Sequence, residues 1–515
     1  MIGISSSEMV KIEKEVAMKY TYCNPLAIPE IPRGKDEWYR YERGMFSHEN
    51  KPETVEIPEY RSISDPTVFY WEGKWYLYPS YGMAWVSEDF YNWKHIKTEP
   101  YCPKYSPCIT PWKGKFLLTS WFCPLYVGDS PVGPFVELGE FVDLNGQLFT
   151  PCDPAIFTDD DGRIYLYAYD FDEENQIHKI IGYELDSENP CQVVRGPSLI
   201  VEMDPERKPW ERHGLHGQNI RSGWVEGPHL LKHDGRYYMI YAAPDTCDAS
   251  YCMAVYYSDE DPLTGFVCQK KNPLTFHREG IISGAGHGCV EHGPNGSLWA
   301  FYTIACPYVH QYERRIGMDL VAVDENGELY CPHGVTDTPQ FIPGYLEDPV
   351  HGRNDAGCVS LTGAVRPIAS SYSEGRDAVY ATDENNLSFW LPKEEDSQKS
   401  LECDLTGEFE VSACRIFWRE LGLDYERGIV PAPVQYLVEG YRGGEWFLLL
   451  DMSENDVEKN IDYQVFETKT CSKVRLKIVG QGDGLKIGVI DFAVFGKMPA
   501  KNKNDFTEKG NTYDE

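Results

Sequence analysis

Acidic residues open three short apolar runs of this chain, and a proline follows each of them closely. The motifs are Asp65-Pro66, Asp153-Pro154 and Glu226-Gly227-Pro228. Two carboxyl groups across a pocket are the minimum machinery for cleaving a glycosidic bond, because one protonates the leaving oxygen while the other activates water or attacks carbon. A third acid can hold the other two in the required charge states. Alone, the motifs of Asp65 and Asp153 favour an ordinary turn, since Asp before Pro often bonds its own backbone, but their parallel placement with Glu226 favours a functional role.

Similar hairpins surround these acids and predict how the chain positions them. Each hairpin is an apolar run with a glycine eight or nine residues after its first polar residue. That glycine permits the positive φ of a tight turn. Five such hairpins predict a five-bladed β-propeller, and a β-sandwich with coincidental hairpins is the alternative. The opening residues and their glycines are Asp65 and Gly73, Ser106 and Gly114, Asp153 and Gly162, Glu226 and Gly235, and His287 and Gly296.

In a propeller the first strand of each blade lines the central axis. The five opening residues are therefore expected at one end of that axis. Carboxylates at close range raise one another's pKa and oppose folding. Such a convergence of three acids and His287 is more often a functional site than a stabilising feature.

Composition bounds the class of protein. At 515 residues, two to four domains are expected. A net charge of −33 disfavours nucleic acid and anionic membranes as partners. The chain contains no run of 18 apolar residues, so no transmembrane helix is predicted. The N-terminus shows no secretory pattern and the 16 Cys are scattered, so we expect reduced thiols and a cytoplasmic location.

These motifs together resemble glycoside hydrolase family 43, of the α-L-arabinofuranosidase and β-xylosidase type. The resemblance spans roughly residues 20–345, and it implies an all-β, five-bladed propeller. It also implies an inverting, exo-acting hydrolase that releases L-arabinofuranose or D-xylose from arabinoxylan oligosaccharides. The matching segments are Ser64–Val68, Cys152–Phe157, Trp224–Pro228, Gly286–Gly288, Ser87–Trp93 and Ser130–Phe135.

The resemblance also implies roles for the acids. Asp65 is expected to be the general base that activates water, and Glu226 the general acid. Asp153 is expected to tune and orient Glu226. Inversion implies carboxyl groups of Asp65 and Glu226 about 6.5–9.5 Å apart, which leaves room for a water molecule.

Further site residues are expected from the same resemblance. Tyr105 is expected to be an aromatic sugar platform. Tyr81 and Trp121 follow the inner hairpins of blades one and two and are expected to wall the pocket, with ordinary blade packing as the alternative for these aromatic residues. Arg314 is expected to bond a sugar hydroxyl, with Arg315 as the competing choice. His287 is expected to contact a structural calcium ion, or instead to be a buried residue bonded to backbone. Because imidazole is a poor ligand for calcium, carboxylates and waters would carry most of that binding. No organic cofactor is expected.

The chain is predicted to divide into two β domains. Residues 1–345 form the propeller with an extension over 1–20, and residues 361–498 form a β-sandwich that resembles a discoidin-type jelly roll. That second fold also serves as a carbohydrate-binding module, and here a purely structural role is the alternative. Trp390 and Trp418 are expected in its core, and residues 499–515 are expected to be a disordered tail.

Two rival functions remain open at the sequence level. One is a glycan-binding propeller without catalysis, and the other is a glycosidase of another five-bladed family, active on fructan or galactan. The fructan families carry Asn-Asp-Pro-Asn, whereas this chain has Ser64-Asp65-Pro66-Thr67. The charged segment Asp204–Gly223 before Glu226 is predicted to shape the rim of the site. The sequence leaves the oligomeric state open.

Overall fold

The computed structural model describes residues 18–31, 61–80, 84–96, 105–214, 216–307, 312–352, 354–363, 365–424 and 427–499. Nearly all its regular structure is β-strand, with three short 3-10 turns among the described residues. None of the helices in this part of the chain is long and apolar enough to cross a membrane. The predicted extension over 1–20 and the predicted tail over 499–515 lie mostly outside the described residues.

Five blades of four antiparallel strands follow one another along the chain. Blades 1, 2 and 3 are separate sheets, whereas blades 4 and 5 are joined by the parallel bridge Cys252↔Ala285. Blade 1 comprises Thr67–Trp71, Lys74–Tyr78, Ala84–Ser87 and Lys94–Ile96; blade 2 Cys108–Trp112, Lys115–Thr119, Leu125–Gly128 and Phe135–Gly139; blade 3 Cys152–Thr158, Ile164–Asp172, Ile177–Leu185 and Val193–Glu202; blade 4 Glu226–His233, Arg236–Ala243, Cys252–Ser258 and Val267–Cys268; blade 5 Ala285–His292, Leu298–Ala305, Arg314–Val323 and Leu329–Tyr330.

The first strands of the five blades form a closed ring. Each contacts the first strands of its two neighbours, and the contact between Thr67–Trp71 and Ala285–His292 closes the circle. A shared apolar core that includes Trp75 and Trp85 of blade 1 with Trp299 of blade 5 supports this closure. The predicted five-bladed propeller is therefore confirmed.

The hairpin turns follow the predicted pattern. Gly73, Gly114, Gly162, Gly235 and Gly296 all have φ between 72° and 84°. An L-residue rarely adopts this conformation, so glycine is the residue that allows strand one to turn directly into strand two.

The C-terminal part of the chain forms one continuous β-sheet. Its longest strands pair with each other and are interrupted by register shifts, which bend them around a common core. Trp390 and Trp418 are buried in that core, as predicted. The strands are Val359–Ser360, Ile368–Ala369, Ser400–Leu421, Gln435–Arg442, Glu445–Met452, Ile461–Gly480 and Lys486–Lys497.

An apolar interface joins the C-terminal sheet to the propeller. Phe417 and Ile461 of the sheet share a buried cluster with Ile282, Ile304 and Cys306 next to and within blade 5. Two short strands, Thr21–Tyr22 and Gln340–Phe341, pair beside the same blade. The domain boundaries 1–345 and 361–498 stay predictions.

Candidate active site

The residues at the start of the first strands share an unusual backbone conformation. Asp65, Ser106, Asp153 and His287 have φ of 50°, 46°, 46° and 34°, and Gly227 has φ of 54°. In blades 3, 4 and 5 this residue lies inside a shift of strand register. A left-handed backbone costs a non-glycine residue on the order of 1–3 kcal/mol, and such strain collects at functional sites.

The structure corrects the predicted alignment of blade 4. The hairpin spacing equates Glu226 with Asp65 and Asp153, but Gly227 holds the left-handed position and Glu226 precedes it. A Cβ on Gly227 would lie 2.7 Å from Cγ of His287. The imidazole ring therefore leaves no room for a side chain at this position, and blade 4 supplies its acid one residue earlier.

Asp65 is buried, and polar groups surround its carboxylate. Its Oδ2 accepts hydrogen bonds from Ser64 Oγ (2.9 Å) and Ser80 Oγ (2.5 Å). Its Oδ1 lies 3.2 Å from Arg314 Nη1 and 3.5 Å from His287 Nδ1. Burial raises the pKa of Asp65, but the charges of Arg314 and His287 and the two hydroxyl bonds outweigh it, so the pKa lies below its usual value. Asp65 is therefore an ionised carboxylate.

Serine hydroxyls connect Asp65 to Asp153. Ser80 Oγ donates to Asp65 and accepts from the backbone N–H of Ser106 (3.0 Å). Ser106 Oγ donates to Asp153 Oδ1 (2.8 Å). Burial raises the pKa of Asp153, the charge of His287 and the bond from Ser106 oppose that effect, and the charge of Asp65 adds to it. The two acids are thus held in one network with opposite pKa shifts.

Glu226 is placed so that its proton is retained. Trp224 Nε1 donates to Oε2 (2.9 Å) and the Tyr251 hydroxyl donates to Oε1 (2.6 Å). Burial and the charges of Asp153 and Asp245 raise the pKa of Glu226 well above its usual value, and they outweigh the bond from Tyr251, which lowers that pKa. Glu226 therefore has the protonation state that a general acid needs.

Arg314 lies beside a wall of aromatic rings. Its Nη1 donates to Thr246 Oγ1 (3.1 Å) as well as to Asp65, and its guanidinium carbon is 5.6 Å from the ring centres of both Tyr105 and Tyr312. The rings of Tyr105 and Trp121 meet edge to face at 5.5 Å. The structure thus brings three predicted residues, Arg314, Tyr105 and Trp121, together at the site.

Of the other two predicted binding residues, only Arg315 belongs to the described part of the chain. Arg315, the competing choice for Arg314, faces the C-terminal sheet, and its Nε donates to Asn460 Oδ1 (2.8 Å). Tyr81 lies outside the described residues.

His287, in the first strand of blade 5, lies beside Asp65. Its ring packs against Gly227, and its Nδ1 faces Asp65. Among the described residues, no group of three or more His, Cys, Asp or Glu side chains is arranged to hold a metal ion. A calcium ion near His287 would need waters for most of its ligands, and the calcium site stays a prediction.

An aromatic stack continues from Glu226 to the rim. The Trp224 ring lies 3.8 Å from the ring of His178 and stacks on Tyr169 at 5.3 Å. His213, in the predicted rim segment, bonds Asp248 Oδ2 through Nδ1 (3.1 Å). The His213 ring lies 6.4 Å from the Trp224 ring, so the segment Asp204–Gly223 approaches the side of the site where Glu226 lies.

Several residues of the site carry no motif in the sequence. Thr303 Oγ1 accepts from the backbone N–H of Asp65 (2.8 Å), and Ser80, Asp245 and Tyr251 contact or influence the acids. Ser80 and Asp245 follow the second strands of blades 1 and 4, and Thr303 lies near the end of the second strand of blade 5. Because hairpin partners are antiparallel, the end of strand two lies beside the start of strand one. Polar residues at those ends were the signal that could have found them.

Solved structures with a similar fold include several glycoside hydrolases. One described as a glycoside hydrolase is 19% identical, with a TM-score of 0.45, and the match covers 84% of this chain and 97% of that one. A thermostable family-43 glycoside hydrolase is 21% identical, with a TM-score of 0.48 and coverage of 63% and 100%. Xylan beta-1,4-xylosidase from Bacillus halodurans C-125 is 14% identical, with a TM-score of 0.44 and coverage of 86% and 100%.

A comparison with curated proteins finds no match. A comparison with protein-family models matches glycosyl hydrolases family 43 over residues 59–329, which is more than half of the chain and contains all three acids. The chain therefore belongs to glycosyl hydrolases family 43.

Proposed function

We propose that this family-43 protein is an inverting exo-glycosidase that releases L-arabinofuranose, D-xylose or both from arabinoxylan oligosaccharides. The observation that carries the proposal is the opposite pKa shift of two buried carboxyl groups in one ring of strands. Asp65 is held ionised, whereas Glu226 is held protonated. An acid and a base with separated pKa values are what one-step hydrolysis of a glycoside requires.

The reaction follows from these charge states. Glu226 gives its proton to the glycosidic oxygen as the bond to the anomeric carbon breaks. A water molecule attacks that carbon from the opposite face, and Asp65 takes a proton from the water as the new bond forms. The products are a sugar with inverted configuration and a free hydroxyl on the leaving chain. Glu226 is left ionised and Asp65 protonated, and solvent restores both.

Asp153 and Arg314 have supporting roles in the proposal. The charge of Asp153 raises the pKa of Glu226, and the bond from Ser106 holds Asp153 in place. Arg314 lowers the pKa of Asp65 and lies against the rings of Tyr105 and Tyr312, where it would bond a sugar hydroxyl. The rings beside it, including Trp121, offer apolar faces and edges for the C–H groups of a sugar.

The first test is hydrolysis of nitrophenyl α-L-arabinofuranoside and nitrophenyl β-D-xyloside, together with unactivated oligosaccharides. We expect release of at least one pentose. Glu226→Ala should lower kcat about 10²–10⁴-fold on the oligosaccharide, and much less on the nitrophenyl glycosides, because nitrophenolate leaves without a proton. Equal losses on both kinds of substrate would contradict the role of Glu226.

Two alternative functions are distinguished by the same enzyme preparation. A glycan-binding propeller would bind oligosaccharides by calorimetry and turn over none of them. An enzyme of fructan or galactan specificity would be inactive on both pentosides and active on those glycans.

Three further parts of the proposal concern the whole protein. The C-terminal sheet is proposed to be a discoidin-like sandwich, the protein to be cytoplasmic, and a calcium ion to lie near His287. Dialysis against a chelator, followed by calcium or magnesium addition, tests the last part. Calcium alone should restore the thermal midpoint and activity if the ion is structural.

A further inference from the structure

A buried arginine joins the segment before Asp65 to the C-terminal sheet. Arg61 is only 2% exposed. Its Nη1 lies 3.0 Å from both carboxyl oxygens of Glu420 and 2.7 Å from Glu458 Oε1, and its Nη2 donates to Glu458 Oε2 (2.7 Å) and to the carbonyl of Ile31 (3.0 Å). A buried charge of this kind is stable only with its partners in place.

A second buried arginine repeats the connection. Arg315 Nε donates to Asn460 Oδ1 (2.8 Å), and its Nη1 donates to the carbonyl oxygens of Arg61 (2.9 Å) and Arg314 (2.8 Å). Its guanidinium carbon lies 5.4 Å from the ring centre of Phe417. Five side chains thus connect the two parts of the chain, and we call them the interdomain anchor: Arg61, Arg315, Glu420, Glu458 and Asn460.

The backbone held by this anchor carries the active site. Ile63 N–H donates to the Arg314 carbonyl (3.0 Å), and Arg314 N–H donates to Ser62 Oγ (3.1 Å). Ser62 Oγ in turn donates to the carbonyl of Tyr312 (2.7 Å). The segments 61–65 and 312–316 therefore form one unit, and Asp65 and Arg314 face each other at its end.

We propose that the interdomain anchor positions Asp65 and Arg314 for catalysis, so that the C-terminal sheet is part of the catalytic apparatus. The inference rests on the proposed hydrolase activity. The anchor residues touch no substrate in this account and act through the backbone of segments 61–65 and 312–316. Misplacement of a reacting group by about 1 Å can cost on the order of 100-fold in rate.

The test compares matched variants at two buried interdomain contacts. Glu420→Gln and Asn460→Ala weaken the anchor, and the first is isosteric. Asp491→Asn is the control, because Asp491 holds Arg415 (2.9 Å), which bonds the carbonyls of Asn24 and Asp337 away from the acids. All enzymes are assayed well below their thermal midpoints. We expect kcat per folded enzyme to fall about tenfold in the anchor variants and to change less than twofold in Asp491→Asn.

A double-mutant cycle separates positioning from general destabilisation. If Asn460 acts through Arg314, Asn460→Ala should cost little further activity in an Arg314→Ala background. Equal fold-losses in both backgrounds would overturn the positioning of Arg314 by the anchor. The proposal would also be overturned if Glu420→Gln and Asn460→Ala had the same kcat per folded enzyme as the wild type.

Amide hydrogen exchange gives a readout that needs no turnover. The anchor variants should speed exchange at residues 62–65 and 312–316, whereas Asp491→Asn should not. If the wild type hydrolyses no glycoside, the proposed function fails while this exchange result still decides whether the anchor holds the segments. Unchanged exchange in both anchor variants would overturn the inference even in an active enzyme.

Discussion

At the scale of single residues, the site separates two carboxyl groups of the same chemistry by their surroundings. Asp65 faces Arg314 and His287 and accepts two hydroxyl bonds, whereas Glu226 faces Asp153 and Asp245. Burial raises the pKa of both groups, so the sign of the neighbouring charges decides which one keeps its proton.

The charge of Arg314 should therefore set the acid limit of activity. Arg314→Gln removes the largest pKa-lowering contribution to Asp65, so the pKa of the base rises. Because the base must be ionised, the acid limb of the kcat/KM profile should move to higher pH, and activity at its optimum should fall at least about tenfold. The measurement is a pH profile from pH 3 to pH 9.

Arg314→Lys is the control for that profile, since it keeps a positive charge. Its acid limb should remain closer to that of the wild type. Identical shifts in Lys and Gln variants would show that the charge of Arg314 does not tune Asp65.

The sequence could predict the acids but only part of their surroundings. Asp65, Asp153 and Glu226 stand in local motifs, and Arg314 follows from the resemblance. Ser80 and Thr303 reach the site from the ends of second strands, and they become its neighbours only when the hairpins close. Local spacing carries no information about such contacts.

At the scale of elements, the hairpin glycines fix where each blade turns, and a left-handed residue fixes where each first strand begins. The first feature is readable because a tight turn requires glycine. The left-handed position cannot be predicted from residue type, because Asp, Ser and His occupy it in four blades. For this reason the hairpin spacing placed Glu226 one residue away from its true position in blade 4.

Gly227 tests the importance of this left-handed position. In Gly227→Ala the new Cβ would meet the His287 ring, which lies beside Asp65. We expect a loss of stability above the roughly 1–2 kcal/mol cost of a left-handed alanine. Activity should fall about 10–100-fold as His287 is displaced. Thermal unfolding and kcat/KM are the measurements.

Gly235→Ala is the matched control. Gly235 has φ of 82° and nothing within 4 Å of a built Cβ, so it pays the backbone cost alone. It should lose about 1–2 kcal/mol of stability and keep its activity. Full activity in Gly227→Ala would contradict the role given to the His287 contact.

At the scale of the whole molecule, the propeller and the C-terminal sheet behave as one unit. They share an apolar cluster as well as the interdomain anchor. Composition and strand patterns predicted two β-rich parts, but they could not predict this interface, because its residues come from strands and loops that are far apart in the sequence and carry no shared motif.

Phe417 is the residue that should reveal this coupling. It is 1% exposed in the cluster it shares with blade 5, so Phe417→Ala should cost about 3–5 kcal/mol. Urea unfolding followed by tryptophan fluorescence and circular dichroism should give coincident transitions in the wild type. Leu448→Ala, at a side chain 44% exposed, is the control and should change stability by less than about 0.5 kcal/mol. Two separate wild-type transitions would contradict the coupling.

The central claim is that Asp65 activates water for a single displacement on the side opposite Glu226. Proton NMR of the sugar first released from a pentoside tests it most directly, because it records the anomer before mutarotation. The account predicts the inverted anomer in the earliest spectra. Initial release of the retained anomer would mean a covalent intermediate, and it would contradict the role of Asp65 as a base.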